Sequence, residues 1–123
     1  MLIEENLASN ELAKTLATAI LVHDEGEYLI PYRDHLGLPT IGIGARIKDS
    51  SGKLLTASDP LPKMQITKTQ SRAQLAEFLE SYITDIQASA ITGPAYYQCS
   101  PLRRAVLLSM RSEERRVGKE CRL

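Results

Sequence analysis

Residues 23 to 47 read H-D-E-G-E-Y-L-I-P-Y-R-D-H-L-G-L-P-T-I-G-I-G-A-R-I. This stretch decides the fold, because it passes from the end of a helix-like pattern into strand-like runs separated by turn residues. Gly26 is a natural stop for the preceding helix, which puts the Glu25 carboxyl group on its last turn. Tyr28 to Asp34 has strand character, His35-Leu36-Gly37-Leu38-Pro39 reads as a turn, and the next strand starts at Thr40. Beyond it Ile41, Ile43, Ala45 and Ile47 alternate with Gly42, Gly44 and Arg46, the period expected of one strand with a single buried face. The stretch therefore predicts a β-hairpin with Glu25, Asp34 and Thr40 at element ends around it.

Upstream, a helix is expected from about Asn10 to Asp24, where Leu12, Leu16, Ala19, Ile20 and His23 recur at helical spacing. Downstream, Asp49-Ser50-Ser51-Gly52 reads as a turn, Lys53 to Thr56 as a third short strand, and Ser58 to Lys63, with Pro60 and Pro62, as irregular loop. Thr67-x-x-Gln70 has the form of a capping box. It opens a long helix carrying Leu75, Phe78, Leu79, Tyr82, Ile83 and Ile86 on one face. Gly93-Pro94 stops or turns the chain, and Ser100 with Pro101 starts another helix. Leu102, Ala105, Val106 and Ser109 define one face of that helix, and Leu107, Leu108 and Met110 broaden it toward burial nearly all round. A helix, a small antiparallel sheet and then further helices make the expected fold class α+β.

Composition narrows the function. The chain has 123 residues, enough for one domain or one domain and part of another. It has no Trp and a single Phe, so aliphatic side chains must supply most of the core. Fifteen basic residues balance fifteen acidic ones, and neither nucleic acid nor an anionic membrane is expected as a partner. The apolar run Leu16 to Val22 follows Lys14 and lacks a basic n-region and a small-residue cleavage site, so no signal peptide is expected. No stretch approaches the ~20 apolar residues of a membrane span, and folding in a cytoplasm is expected. Cys99 and Cys121 are expected to be free thiols. Neither His23 nor His35 has metal-ligand spacing to another His or Cys. His23 reads as a helix-face residue, His35 as an exposed turn residue, and Arg103-Arg104 as a helix-surface pair.

Two carboxyl groups and a hydroxyl gathered by a tight chain reversal suit hydrolysis of a glycosidic bond. One carboxylic acid protonates the leaving oxygen, and a second group positions water or stabilises the oxocarbenium-like transition state. Residues flanking one hairpin turn lie side by side, so Asp34 and Thr40 can hold a water between them. Taken singly, each residue also has a plainer role: surface carboxylates, a β-branched strand residue in Thr40, and hairpin glycines in Gly42 and Gly44. A phosphate-binding reading of Gly42-Ile43-Gly44 lacks a third glycine and a following helix.

The combination Glu25-Gly26, Tyr32-x-Asp34 and Gly37-x-x-Thr40-Ile41-Gly42-Ile43-Gly44 resembles the phage-type lysozymes, the endolysins of glycoside hydrolase family 24. Thr67 to Ile86 resembles the long helix joining that family's two lobes. Leu102 to Met110 resembles the start of the central helix of its C-terminal lobe, so the resemblance covers most of residues 20 to 110. It implies a lysozyme-like fold with a catalytic lobe over residues 1–66, an interlobe helix over 67–90 and the start of a helical lobe over 91–110. It also implies a muramidase that cleaves, with inversion, the β-1,4 bond between N-acetylmuramic acid and N-acetylglucosamine in bacterial peptidoglycan. Glu25 would be the general acid, Asp34 the second carboxylate and Thr40 the hydroxyl that helps place the water. Tyr32 reads equally as a residue that touches sugar or as one partly buried in the small lobe, and Gly44 is a further substrate-binding candidate. Inverting enzymes keep their carboxyl groups roughly 6.5–9.5 Å apart to admit that water. No metal or organic cofactor is implied. The enzyme would wait in the host cytoplasm for a holin-type pore and then lyse the cell for a phage. Two positions depart from the pattern: Ala45 stands where many members carry His, and Ser109 where Asn is common.

Residues 111–121 read R-S-E-E-R-R-V-G-K-E-C, charged and without core periodicity. They coincide, codon by codon, with one reading frame of a common short-read sequencing adapter. The expectation is a native sequence cut at Met110 with adapter translated in its place over 111–123. Without those residues ten basic and twelve acidic side chains remain, a mildly acidic body. A complete protein of this kind is expected to be a monomer. A truncated one would expose the Pro101–Met110 helix and aggregate through it. The rival readings are a truncated, inactive fragment that binds wall glycan or another protein, and a lytic transglycosylase. Asp34 speaks against the transglycosylase, which needs no second carboxylate to position water.

Overall fold

A computed structural model of the chain describes the backbone of residues 2–117 and the side chains of residues 2–113. The architecture is α+β, as the sequence predicts: the described residues form four helices and one three-stranded antiparallel sheet. The chain groups into two compact units. One is Val22–Leu75, and the other combines the segments before and after it. The first and second helices each contribute to both units.

In the unit Val22–Leu75, the sheet consists of β1 (Tyr28–Arg33), β2 (Pro39–Gly42) and β3 (Ala45–Arg46), in that spatial order. Tyr32 pairs with Thr40 and Arg33 with Pro39, so the expected hairpin through residues 34–38 is present. The register shifts between Tyr28 and Tyr32, around Pro31, which has no N–H to give to a ladder. Proline is tolerated there because β1 lies at the sheet edge.

The run from Thr40 to Ile47 is not the single strand expected. It folds into a second hairpin, with Ile41 opposite Ala45 and Thr40 opposite Arg46. Gly42 and Gly44, both at φ +69°, take the left-handed conformation that side-chain-bearing residues avoid, and this reverses the chain. Gly42 has a second reason to be glycine. A β-carbon there would lie 3.3 Å from Ser71 Oγ and from Gln74 Oε1, where the second helix crosses. The expected burial of Ile41, Ile43, Ala45 and Ile47 is observed. Lys53 to Thr56 does not form a strand: Leu54 makes only an isolated bridge to Lys48. The Asp49 turn takes over this region's pairing, with Asp49 Oδ1 accepting from Ser51 N at 2.8 Å and Lys53 N at 3.0 Å.

α2 (Lys68–Ala88) begins at the expected capping box. Gln70 N donates to Thr67 Oγ1 (3.1 Å) and Thr67 N donates to Gln70 Oε1 (2.8 Å), which satisfies two donors of the first turn. Ser71, Leu75, Leu79, Tyr82 and Ile83 form its buried stripe, four of them on the predicted face.

The other unit contains most of α1 (Ile3–Glu25), the rest of α2, α3 (Gly93–Tyr97) and α4 (Pro101–Val117). α1 begins seven residues before the expected start at Asn10. Its first turn carries Glu4 and Glu5, which suit the positive end of a helix. Its buried face is Asn10, Ala13, Ala17 and Leu21, rotated from the predicted Leu12–Leu16–His23 face; Leu12 and His23 are exposed. Small residues on that face let a neighbour approach closely, and polar contacts set the phase. Asn6 Nδ2 and Asn10 Nδ2 each donate to Gln87 Oε1 at 3.0 Å, and Lys14 meets Glu80 at 2.6 Å. Gly93-Pro94 starts α3, a five-residue helix that the sequence reading treated only as a stop.

Arg104 accounts for much of the packing in this unit. The sequence places it in a surface pair; the structure buries it completely. Its Nη1 donates to Asn6 Oδ1 (2.8 Å) and Asn10 Oδ1 (2.9 Å), and its Nε donates to the Cys99 carbonyl (3.1 Å). The guanidinium carbon lies 4.6 Å from the centre of the Tyr96 ring. Burial pushes the Tyr96 phenol up from its ordinary value, against the opposing pull of the Arg104 charge, and the neutral hydroxyl donates to Asn10 Oδ1 at 2.7 Å.

This contact also fixes the phase of α4. Arg104, Ala105, Leu108 and Ser109 are buried, whereas Leu102, Val106, Leu107 and Met110 are exposed, so burial nearly all round does not hold. α4 starts with Ser100 as its cap, accepting from Arg103 N at 3.3 Å, and with Pro101 as its first residue, as predicted. Helical backbone continues past Met110 to Val117, and Ser112 is buried. Glu and Arg, frequent in this segment, are good helix formers. Cys99 Sγ donates to the Ala95 carbonyl at 3.4 Å; Cys121 and the end of the expected adapter-derived tail lie outside the described residues.

Candidate active site

Glu25, Asp34, Thr40, Tyr32 and Gly44 all belong to the unit Val22–Leu75. α1 ends at Glu25, as predicted, with Gly26 N donating to the Val22 carbonyl at 2.9 Å. Glu25 is half-buried, with Oε2 shielded from solvent.

Asp34 and Thr40 converge on one residue, Leu38. Asp34 Oδ1 accepts from Leu38 N (2.9 Å) and from Leu36 N (2.9 Å), which fixes the turn. Asp34 N and Thr40 Oγ1 both donate to the Leu38 carbonyl, at 3.1 and 2.7 Å. The hairpin thus ties the carboxylate and the hydroxyl to the two sides of a single residue, Leu38. Both residues are buried, Asp34 to 8% exposure and Thr40 completely. Asp34 Oδ2 is buried with no hydrogen-bond partner among the described residues. One oxygen of this carboxylate therefore holds the turn, and the other is left for a further partner.

Tyr32 lies directly across from Thr40 and is half-buried, with its hydroxyl shielded. Its ring leans on Tyr28, with centroids 4.4 Å apart, and the exposed Tyr28 ring extends this aromatic surface. Gly44 is buried in the β2–β3 turn, where its backbone conformation reverses the chain. His35 is an exposed turn residue, as predicted. Among the described residues no group of three His, Cys, Asp or Glu side chains is placed to hold a metal ion. Nor is any described helix long and apolar enough to cross a membrane.

Three charged residues around the hairpins escaped the sequence reading. Arg33 ties the first turn to the following loop, donating to the carbonyls of Gly37 (3.0 Å), Ala57 (3.1 Å) and Asp59 (2.7 Å). Arg46, opposite Thr40, donates from Nη2 to the Leu55 carbonyl at 2.7 Å. Glu27, two residues after Glu25, takes a two-pronged contact from Arg72 (2.8 and 3.1 Å) and a hydrogen bond from Ser71 Oγ (2.9 Å). Only an arginine in the alternating strand pattern and the E-G-E spacing hinted at the last two. Neither pattern names a partner 45 residues away.

The Arg72 guanidinium holds the Glu27 carboxyl below its ordinary value of 4.5, helped by Ser71 and opposed by partial burial. A lowered folded-state pKa contributes stability above the unfolded value, and that contribution disappears as pH falls through the folded one. Glu27→Gln should therefore lower the urea midpoint at pH 7, by on the order of 1 kcal/mol for a partly exposed pair. The gap between variant and wild type should close once the pH is well below 4.5. An equal gap at pH 7 and pH 3 would show that the ion pair is not its source.

No protein-family model matches this chain, and no curated protein matches it.

Proposed function

We propose that this chain is a peptidoglycan muramidase of the phage-lysozyme type. The observation that carries the reading is the convergence of Asp34 and Thr40 on Leu38, with one Asp34 oxygen left unpartnered. Glu25 supports it from the end of α1. A general acid must reach the leaving oxygen with its proton, and Glu25 is half-buried with Oε2 shielded from solvent.

In this reading Glu25 donates its proton to the glycosidic oxygen as the bond from that oxygen to the anomeric carbon breaks. Positive charge builds on the ring, and Asp34 stabilises it. A water held by Asp34 and Thr40 forms the new bond from the opposite face and gives its proton to Asp34, so the product anomer is inverted. The exposed Tyr28 ring beside Tyr32 offers a surface on which a sugar ring can stack. The natural role is lysis of a bacterial host, with wall glycan as the partner and a pore in the host membrane giving access to it.

Digestion of purified peptidoglycan tests the chemistry. Soluble fragments ending in a reducing muramic acid, first released as the inverted anomer, are expected. Anhydro ends would assign a transglycosylase instead, and no release at all would leave a non-catalytic fragment.

A further inference from the structure

The register of the sheet places a charged residue beside the proposed water. Thr40 pairs with Tyr32 on one side and with Arg46 on the other, so these three side chains form a row across one face. Directly opposed residues have β-carbons roughly 4.5–5.5 Å apart. The Arg46 guanidinium is anchored at one end, by Nη2 on the Leu55 carbonyl at 2.7 Å. Its Nε–H is buried and has no hydrogen-bond partner among the described residues. On the other side of Thr40, Asp34 Oδ2 is likewise buried and unpartnered, while Oδ1 is committed to the turn amides. Among the described residues the two groups do not form an ion pair with each other.

A buried donor and a buried acceptor, neither with a partner among the described residues, thus flank a hydroxyl. Thr40 gives its only hydrogen to the Leu38 carbonyl and can still accept. One water completes this set. It accepts from Arg46 Nε–H, donates one hydrogen to Asp34 Oδ2 and the other to Thr40 Oγ1, and keeps one lone pair directed away from all three. We propose that Arg46 is a positioning residue that holds the attacking water of the muramidase reaction from a third side. Two contacts leave a water free to swing about the line joining them. A third fixes where its remaining lone pair points, and a misdirected nucleophile loses rate rather than binding. The proton balance is unchanged: Asp34 takes the proton as the new carbon–oxygen bond forms, and Arg46 stays charged throughout.

This inference rests on the proposed function, and its test separates the two. In the wild-type protein, NMR should show the Arg46 Nε–H protected from exchange and in contact with a long-lived water. Asp34→Asn, which keeps one oxygen for the turn amides and turns the other acceptor into a donor, should speed that exchange at least tenfold. With soluble glycan fragments as substrate, Arg46→Lys and Arg46→Gln should lower kcat at least tenfold with KM within twofold of wild type. A protected Nε–H and bound water in a protein that releases no fragments would sink the muramidase reading and leave the water site standing. An Nε–H that exchanges freely, or an Arg46→Lys enzyme with undiminished kcat, would overturn the role given to Arg46.

Discussion

On the proposed muramidase function, Glu25→Gln should clear purified cell walls at no more than about a hundredth of the wild-type rate, because a positioned general acid is worth about 10²–10⁴-fold. The amide has the size and shape of the carboxyl group but no proton to give to the glycosidic oxygen. Glu25 is half-buried at the end of a helix, and Gln should be accommodated there with little change in stability. The comparison is therefore clearing rate at matched urea midpoint. Loss of clearing with an unchanged midpoint assigns the acid. Equal clearing by both proteins would remove Glu25 from the mechanism. Asp34 does not lend itself to so clean a substitution, because its Oδ1 holds the turn that places Thr40.

The largest effect on stability is expected at Arg104. Replacing it with Met should cost about 3 kcal/mol, since a buried acceptor left without a donor costs about 1–3 kcal/mol. That would be a large fraction of the ~5–15 kcal/mol that keeps a domain folded. The cost lies less in the lost charge than in what is left behind. The side-chain oxygens of Asn6 and Asn10 and the Cys99 carbonyl each lose a donor in a largely buried site, Asn10 keeping the Tyr96 hydroxyl, and the Tyr96 ring loses its cation. Lysine should recover little, since one ammonium group cannot reproduce the planar fork that spans these acceptors. Urea unfolding followed by circular dichroism reads the difference. A loss below about 1 kcal/mol would mean that the site relaxes and admits water, and that Arg104 does not organise this unit.

Both predictions bear on what the sequence could reveal. The catalytic candidates were legible because they depend on local grammar. A helix stop at Gly26, a turn between two strand-like runs and a capping box at Thr67 are each written within a few residues, and each appears in the structure. The Thr40–Ile47 run was misread because alternation and glycine content pulled in opposite directions. Ile41, Ile43, Ala45 and Ile47 are buried in either arrangement, and only the positive φ at Gly42 and Gly44 separates a second hairpin from a longer strand. The faces of α1 and α4 were misread for a related reason. Hydrophobic periodicity favours the stripe with the largest apolar side chains, but close packing favours Ala13 and Ala17, and the buried Arg104 sets the rotation of α4.

By itself, then, the sequence determined the α+β class, the first hairpin that joins Asp34 to Thr40 through Leu38 and the start of the second helix, because turns, caps and alternation act over short stretches of chain. Only the tertiary structure decided that Arg104 is core, that Glu27 pairs with Arg72 and that Arg46 stands beside Thr40. In each of these the energy of a charged side chain is set by desolvation and by partners that folding brings near, and composition carries neither.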